Sequence, residues 1–239
     1  LNRYAYRICG VCNNLITAER GGLPTAPCQV CGSSSSGGDL EYIDPDGFTT
    51  DLTKDGEKAG KYIERSPNRA RSFLLSTNQD GNFDQLPTSG PKVIEFSHRR
   101  NGELVTINTG SDPDGFRICE RCGMKVKPVN PSRNSSKKAS GHPTAQGGKN
   151  CHGTAGQYGL GHKFRSDTLH LRFHDFEGVT VPAASDISFW RSLTYALLEG
   201  ASLALQIERR DLDGLVSPFA IASLGDPEEN FSQEIVLFD

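Results

Sequence analysis

Residues 9–12 read CGVC and residues 28–31 read CQVC, and these two motifs determine how the N-terminal part of the chain folds. Each CxxC turn directs two thiolates at one ion, so two turns complete a tetrahedral site. The predicted ligands of one zinc ion are Cys9, Cys12, Cys28 and Cys31. A rubredoxin-like iron site, an iron–sulfur cluster and disulfides are alternative uses of the same sulfurs.

The other three cysteines are one ligand short of a second site. Cys119 and Cys122 form a third CxxC motif, and Cys151 stands alone. His142, in the sequence GHPT, lies between them and can supply a nitrogen ligand. His152 is the alternative, although two adjacent residues rarely both turn towards one small ion. The sequence therefore predicts a second zinc site with His142 as its fourth ligand.

Cysteine usage and composition favour metal over disulfides. Seven cysteines is an odd number and the sequence shows no secretory signal, so a reducing, cytoplasmic location is expected. Only 35% of the 239 residues are hydrophobic, and 26 are glycine, which favours short strands and loops. A structural zinc ion contributes on the order of 10 kcal/mol to folding. Two zinc ions are therefore expected to be part of this fold.

No membrane contact is predicted. The most apolar stretch, 187–207, contains Arg191 and Glu199 and is too polar for a spanning helix of about 20 residues. The chain starts at Leu1 instead of Met and stops at Asp239 directly after a strand-like run. We therefore expect it to be a fragment of a longer protein.

Three segments are predicted along the chain. Residues 1–38 form a zinc ribbon that ends in the flexible run SSSSGG. Residues 39–115 form an irregular β region with a hairpin at Asn101-Gly102, whose strands are marked by Val93, Ile94 and Phe96 and by Leu104, Val105 and Ile107. Both central residues of a type I′ turn need a positive φ, so an Asn-Gly pair between two such runs predicts the turn. Residues 116–239 form a C-terminally truncated domain around the second metal site.

Two strands and a helix are predicted in the last segment. Residues 168–176 alternate, with Leu169, Leu171 and Phe173 facing inward and His170, Arg172 and His174 facing outward. A helix begins at Ser185 or Asp186 and ends before Asp213-Gly214. Its predicted apolar stripe consists of Trp190, Leu193, Leu197, Ala201, Ala204 and Leu205. Residues 234–238 read as a buried strand.

These elements predict an α+β fold. Antiparallel sheet is expected to dominate, with the long helix packed across it and two zinc-stapled modules attached. Trp190 is expected to anchor the helix in the core.

Six sequence elements from Phe116 onward occur in a defined order: FRICERCG, GHP, CHG, LGHKFRSDTLHLRF, WRSLTYALLEGASLALQI and IVLFD. In this order they resemble the MZB-type zinc-binding domain that accompanies DEAD/DEAH-box helicases. The resemblance implies that Cys119, Cys122 and Cys151 bind zinc, although that family usually has a fourth cysteine. Together with the N-terminal ribbon and the PDGF element at Asp46, the chain looks most like the DrmB helicase partners of DISARM anti-phage systems.

Charge is distributed unevenly along the chain. Residues 117–174 contain eleven basic and two acidic side chains, a formal charge of +9, while the whole chain carries −3 and the remainder therefore −12. A basic zinc module on an acidic body is expected to contact a phosphate backbone. Lys163, Arg165 and Arg172, which lie on or beside a predicted strand, are the predicted DNA contacts.

The predicted function is a zinc-stabilised DNA-binding accessory subunit that acts with a helicase subunit in antiviral defence. A C-terminal domain of a DNA-repair helicase and a purely structural bridging module are alternatives. An enzyme is not predicted, because the chain has no G-x-x-x-x-G-K-[ST] phosphate loop. Both predicted metal sites are also filled by four protein ligands, whereas catalytic zinc keeps an open position.

Overall fold

The computed structural model describes residues 2–19, 22–23, 25–34, 37–45, 70–75, 82–86, 94–110, 115–126, 141–144, 150–174, 180–221 and 230–239. The strands within these ranges are β1 (Asn2–Ile8), β2 (Leu15–Glu19), β3 (Leu40–Asp44), β4 (Ala70–Leu74), β5 (Asp84–Gln85), β6 (Ile94–Asn108), β7 (Phe116–Cys119), β8 (His142–Pro143), β9 (Asn150–Cys151), β10 (Ala155–Phe173), β11 (Asp213–Ala220) and β12 (Phe231–Phe238). One α-helix, α1 (Ile187–Leu205), and a 3-10 turn at Arg209–Asp211 complete the described elements. This composition agrees with the predicted α+β class.

The chain divides into two compact units, each assembled from three stretches of sequence. Unit 1 consists of Leu1–Ala5, Leu40–Arg71 and Thr106–His162. Unit 2 consists of Tyr6–Asp39, Ser72–Val105 and Lys163–Asp239. The predicted division into residues 1–38, 39–115 and 116–239 follows the sequence and stays a prediction.

Unit 1 is organised around the first half of β10. β7 pairs with it antiparallel, from Phe116 opposite Tyr158 to Cys119 opposite Ala155. β3 pairs with it in parallel at Tyr42 and Ile43, so the strand pairing is mixed and not purely antiparallel. The core of unit 1 contains Ile43, Ile118 and Tyr158, with Phe116 and Leu160 packed against them.

Unit 2 is organised around β12. This strand pairs antiparallel with the second half of β10 on one side and with β11 on the other. Residues 233–238 of β12 are all buried, which confirms the predicted buried strand. Leu171 of β10 and Ile235 and Leu237 of β12 pack against Trp190 and Leu198 of α1. Trp190 is completely buried and is the core anchor that the sequence predicted.

Helix α1 begins where the sequence predicted, but its buried face is rotated from the predicted one. Asp186 caps it by accepting a hydrogen bond of 3.2 Å from the Phe189 amide. The buried residues are Trp190, Thr194, Leu198 and Ser202, whereas Ala204 and Leu205 of the predicted stripe are exposed. Thr194 and Ser202 can be buried because their hydroxyls donate to carbonyls of the same helix. A pattern built on apolar residues alone missed both.

The hairpin predicted at Asn101-Gly102 is wrong, because β6 runs straight through both residues. Asn101 has a positive φ of 56°, but Gly102 does not, and a type I′ turn needs both. A Cβ on Gly102 would lie 2.7 Å from Thr168 Cγ2, so this glycine permits close approach to β10. Val93, the first residue of the predicted hairpin, lies outside the described residues.

Candidate metal centres

The first cluster brings together the four predicted cysteines of unit 2. Cys9 Sγ and Cys31 Sγ are 3.6 Å apart, Cys12 Sγ and Cys28 Sγ are 3.5 Å apart, and all four sulfurs lie within 4.8 Å of one another. Zinc–sulfur bonds of about 2.3 Å at tetrahedral angles give sulfur separations of about 3.8 Å. A disulfide would need about 2.05 Å. The separations therefore fit one tetrahedral ion and not two disulfides.

The three CxxC turns share one backbone geometry. In each, the amide four residues after the first cysteine donates to that cysteine's carbonyl, at 2.8 to 3.0 Å. The donating residues all have positive φ: Asn13 at 63°, Gly32 at 75° and Gly123 at 73°. Glycine and asparagine adopt this conformation most readily, so the turn favours one of these two residues directly after each CxxC motif. The Asn or Gly after each CxxC motif is therefore a sequence signal for the turn, and cysteine spacing alone does not include it.

The first cluster is enclosed by apolar side chains. All four cysteines are buried, and Val30 and Phe231 belong to the same buried cluster, with Val11 and Ala184 packed against it. Asn14 Nδ2 lies 3.9 Å from Cys28 Sγ, a long contact from a buried donor to a ligand sulfur. Apolar enclosure and an outer donor are typical of the surroundings of a structural metal site.

The ionisation of the first cluster favours a cation. A hydrogen bond with the Cys12 thiol lowers the pKa of Cys28 to about 4, and the same interaction raises the pKa of Cys12. Burial raises the pKa of Cys31 to about 11. The Cys28 sulfur therefore ionises readily, whereas ionisation of the buried Cys12 and Cys31 thiols is favoured by a positive charge among them, which a divalent metal supplies.

The second cluster lies in unit 1 and brings together Cys119, Cys122, His142 and Cys151, whose ligand atoms are also within 4.8 Å of one another. Cys119 Sγ and Cys151 Sγ are 3.8 Å apart, and Cys122 Sγ is 3.0 Å from His142 Nε2. β8 and β9 form a short antiparallel ladder that places His142 directly opposite Cys151. His152 is exposed and is not a member of the cluster.

The thiols of the second cluster differ in acidity. Burial opposes ionisation of Cys119, but hydrogen bonds from the amides of Cys122 and Arg121 lower its pKa overall. Burial raises the pKa of Cys122. As in the first cluster, the chain stabilises one thiolate before a metal ion contributes.

Two neighbours of the second cluster were not predicted. The Gly153 amide donates to Cys151 Sγ at 3.4 Å, and a Cβ on Gly153 would lie 2.7 Å from Cys119 Sγ. Glu120, between the first two ligands, accepts hydrogen bonds from Tyr158 Oη at 2.7 Å and Thr154 Oγ1 at 3.1 Å. These bonds lower the pKa of Glu120, while burial and the bond to Glu120 raise the pKa of Tyr158 to about 12. The CHG element contained the glycine signal, whereas nothing in the sequence identified the partners of Glu120.

The predicted DNA contacts are in different environments. Arg165 has a 68% exposed side chain, with Nη2 2.6 Å from Glu103 Oε1, and Lys163 is half-buried. Arg172 is only 14% exposed and its Nε donates to Glu234 Oε2 at 2.9 Å. Its guanidinium lies 3.9 Å from the ring centre of Phe83 and 4.0 Å from that of Phe219. The prediction that Arg172 faces outward is therefore wrong, and its role as a DNA contact stays a prediction.

The prediction that His170 faces outward is also wrong, because this histidine is completely buried. Its Nδ1 is 3.1 Å from Glu234 Oε1, and its Nε2 is 3.1 Å from Thr168 Oγ1. Burial opposes ionisation of Glu234, but the hydrogen bond from His170 and the charges of His170 and Arg172 lower its pKa overall. Alternation in β10 looked like a solvent-facing pattern because nothing in the sequence indicated that Glu234 would pair with these side chains.

Comparison of the chain with protein-family models, curated proteins and solved structures finds no match. No α-helix in the described part of the chain is long and apolar enough to cross a membrane. Within the described ranges, the metal-ligand clusters are the two above. They are the observations from which a function is inferred.

Proposed function

We propose that the chain is a two-zinc, DNA-binding accessory subunit that acts with a DEAD/DEAH-type helicase in anti-phage defence. The observation that carries the proposal is the pair of four-ligand clusters, one of four cysteines and one of three cysteines and a histidine. These donor sets are typical of structural zinc, which stabilises a binding surface and does not itself react.

The ligand count separates this proposal from an enzymatic one. A catalytic zinc ion usually has three protein ligands and a water molecule, whereas each cluster here offers four protein ligand atoms. The sequence contains no Walker-type phosphate loop, which supports the proposal that the helicase partner hydrolyses ATP. Binding is therefore the role that this chemistry supports best.

The DNA and helicase parts of the proposal rest on sequence. The formal charge of +9 over residues 117–174 favours a polyanionic ligand. The ordered elements from FRICERCG to IVLFD support a helicase-associated module, and the N-terminal ribbon supports the narrower DrmB-type role in DISARM.

The first experiment measures metal content and activity of the whole chain. Elemental analysis should find two zinc ions per chain, and iron in either cluster would contradict the zinc assignment. The purified chain should neither hydrolyse ATP nor cleave DNA. Turnover that disappears when a residue of this chain is changed would overturn the binding role.

A purely bridging module is the second candidate, and one observation favours it. The outer face of α1 exposes large apolar side chains, with Tyr195 67% exposed and Leu203 72% exposed. Such patches are typical of protein–protein contacts. Titration with labelled duplex DNA separates the candidates, because a bridging module without DNA affinity would show no salt-dependent binding. Co-purification with a helicase encoded beside this gene tests the partner of the proposed DNA-binding subunit.

A further inference from the structure

Three basic side chains lie on or beside the CxxC turn of the second cluster. Arg117 is on β7, Arg121 is between ligands Cys119 and Cys122, and Lys125 follows the turn. Among the described residues none of the three has a carboxylate within ion-pair distance. By contrast, ion pairs are formed by Arg3, Arg7, Arg165, Arg172 and Arg210. We call Arg117, Arg121 and Lys125 the knuckle patch.

The acidic residue of the same turn is engaged elsewhere. Glu120 is the only acidic residue of residues 115–126. Its carboxylate accepts hydrogen bonds from Tyr158 and Thr154 and lies 3.5 Å from Arg3 Nη2. The knuckle patch therefore keeps its positive charge for an external anion.

The turn holds the patch in a defined position. Lys125 forms a backbone bridge with Ile118, and its Nζ lies 5.5 Å from the ring centre of Phe116. Arg121 packs so closely over Gly153 that a Cβ there would lie 2.6 Å from Arg121 Cβ. Charges on an ordered backbone lose less conformational freedom on binding than charges on a flexible tail.

We propose that the knuckle patch is the principal contact with a nucleic-acid phosphate backbone. This inference rests on the proposed function and names its binding residues. Residues 117–151 contain eight basic side chains and one acidic one, which suits a ligand with many regularly spaced negative charges. None of the exposed large apolar side chains lies in the described ranges 115–126 or 150–154, so the patch lacks the apolar anchors of a membrane-binding surface.

The patch is a better phosphate site than the strand residues predicted from sequence. Arg165 must give up two hydrogen bonds to Glu103 before it can bind a phosphate, and Arg172 is held by Glu234 and two aromatic rings. Arg121 and Lys125 are exposed and have no such competitor among the described carboxylates. A positive charge in the knuckle patch should therefore contribute more to DNA affinity than a positive charge at Arg165 or Arg172.

The experiment compares two triple variants of the full chain by fluorescence anisotropy with a labelled 20-base-pair duplex of mixed sequence. One variant is Arg117→Gln, Arg121→Gln, Lys125→Gln, and the matched control is Arg100→Gln, Arg191→Gln, Arg210→Gln, which removes the same charge from three exposed arginines that have no predicted role in DNA binding. Three lost phosphate contacts should weaken binding by roughly 100-fold at about 0.1 M salt and lower the log–log salt slope by about 2 to 3. The control should change affinity by less than about threefold. Zinc content and melting temperature are measured for both variants.

The outcomes separate failure of this inference from failure of the proposed function. A knuckle variant that keeps its zinc and binds duplex like the unmodified chain overturns the inference. Equal losses in both variants overturn it too, because charge alone and not position would then matter. If only the control loses binding, the DNA-binding function stands and this site is wrong. If the unmodified chain binds vesicles rich in phosphatidylserine but not duplex DNA, both the inference and the proposed function fail.

Discussion

The two metal clusters are built on the same CxxC turn but differ in their surroundings. The first has four sulfur ligands, all buried, inside an apolar cluster that includes Phe231. In the second, Cys122 and His142 are only half-buried, and Arg121 beside them is exposed. An identical local turn thus belongs to an enclosed four-cysteine cluster in unit 2 and to a partly exposed cluster beside basic residues in unit 1. The backbone turn determines how the ligands converge, whereas the surrounding side chains determine how exposed and how charged each site is.

The difference originates in the second half of each site. The first cluster repeats the turn, with Cys28 and Cys31 on a second knuckle. The second cluster replaces that knuckle with a two-stranded ladder, in which His142 pairs with Cys151. A ladder of two-residue strands brings less side-chain enclosure than a second turn packed into a core. Exposure of the second cluster follows from this construction.

The largest expected effect is loss of the first cluster. Cys28→Ser removes the ligand whose thiolate is most stabilised, in a site that should contribute on the order of 10 kcal/mol to folding. Zinc content should fall from two ions to one, and the cooperative thermal transition should be lost. Cys122→Ser should also lose one ion and unfold its surroundings. A folded Cys28→Ser chain with an unchanged melting temperature would show that the first cluster does not stabilise the fold.

A smaller, local effect is expected at Gly153. Gly153→Ala places a methyl group 2.7 Å from Cys119 Sγ and 2.6 Å from Arg121 Cβ, so a ligand must shift. Overpacking of this kind costs about 1–3 kcal/mol, and here it also distorts the second site. Zinc affinity of the second cluster should fall while that of the first is unchanged, as measured by competition with a chelating dye.

Gly200→Ala is the matched control for Gly153→Ala. Gly200 lies in α1, and a Cβ there meets no atom within 4 Å. Alanine should raise the free energy of unfolding by about 0.5–1 kcal/mol, because its helix propensity is higher than that of glycine. If both substitutions left zinc affinity unchanged, the close packing of Gly153 against the second cluster would not contribute to zinc binding.

The sequence was sufficient for features set by local chemistry. CxxC spacing predicted which cysteines come together, the Asp186 cap located the start of α1, and the apolar run after Gln233 predicted a buried strand. In each case the signal lies in the residue types and the spacing of the motif itself, even where the contact that it predicts joins distant parts of the chain. The α+β class follows from the same local signals.

Features that depend on distant partners were missed. The burial of His170 and Arg172 depends on Glu234, more than 60 residues away in the chain. Asn101-Gly102 has the composition of a turn, but pairing of β6 with β10 keeps the strand continuous. The patch beside Cys119 and Cys122 required knowledge of which carboxylates were already engaged. Tertiary pairing of charges and strands, and not local propensity, decided all three.

A kinetic difference between the clusters is also expected. A chelator in excess should remove zinc in two phases, because the half-buried second cluster admits the chelator before the enclosed first one. The fast phase should be absent from Cys122→Ser and retained in Gly200→Ala. A single phase, or a fast phase that survives Cys122→Ser, would show that exposure does not determine which ion leaves first.

The smallest expected effect concerns the outer donor of the first cluster. Asn14 is buried and its Nδ2 lies 3.9 Å from Cys28 Sγ, so Asn14→Ala removes a weak contact to a ligand sulfur. Outer partners of metal ligands commonly contribute 10- to 100-fold to metal affinity, and the long distance here places the expected loss near tenfold. Asn150→Ala is the matched control, because Asn150 is exposed beside Cys151 of the second cluster. Competition with a chelating dye should show weaker zinc binding at the first site only in Asn14→Ala. Equal affinity in the two variants would mean that apolar enclosure alone stabilises the first cluster and that its outer hydrogen bond contributes nothing.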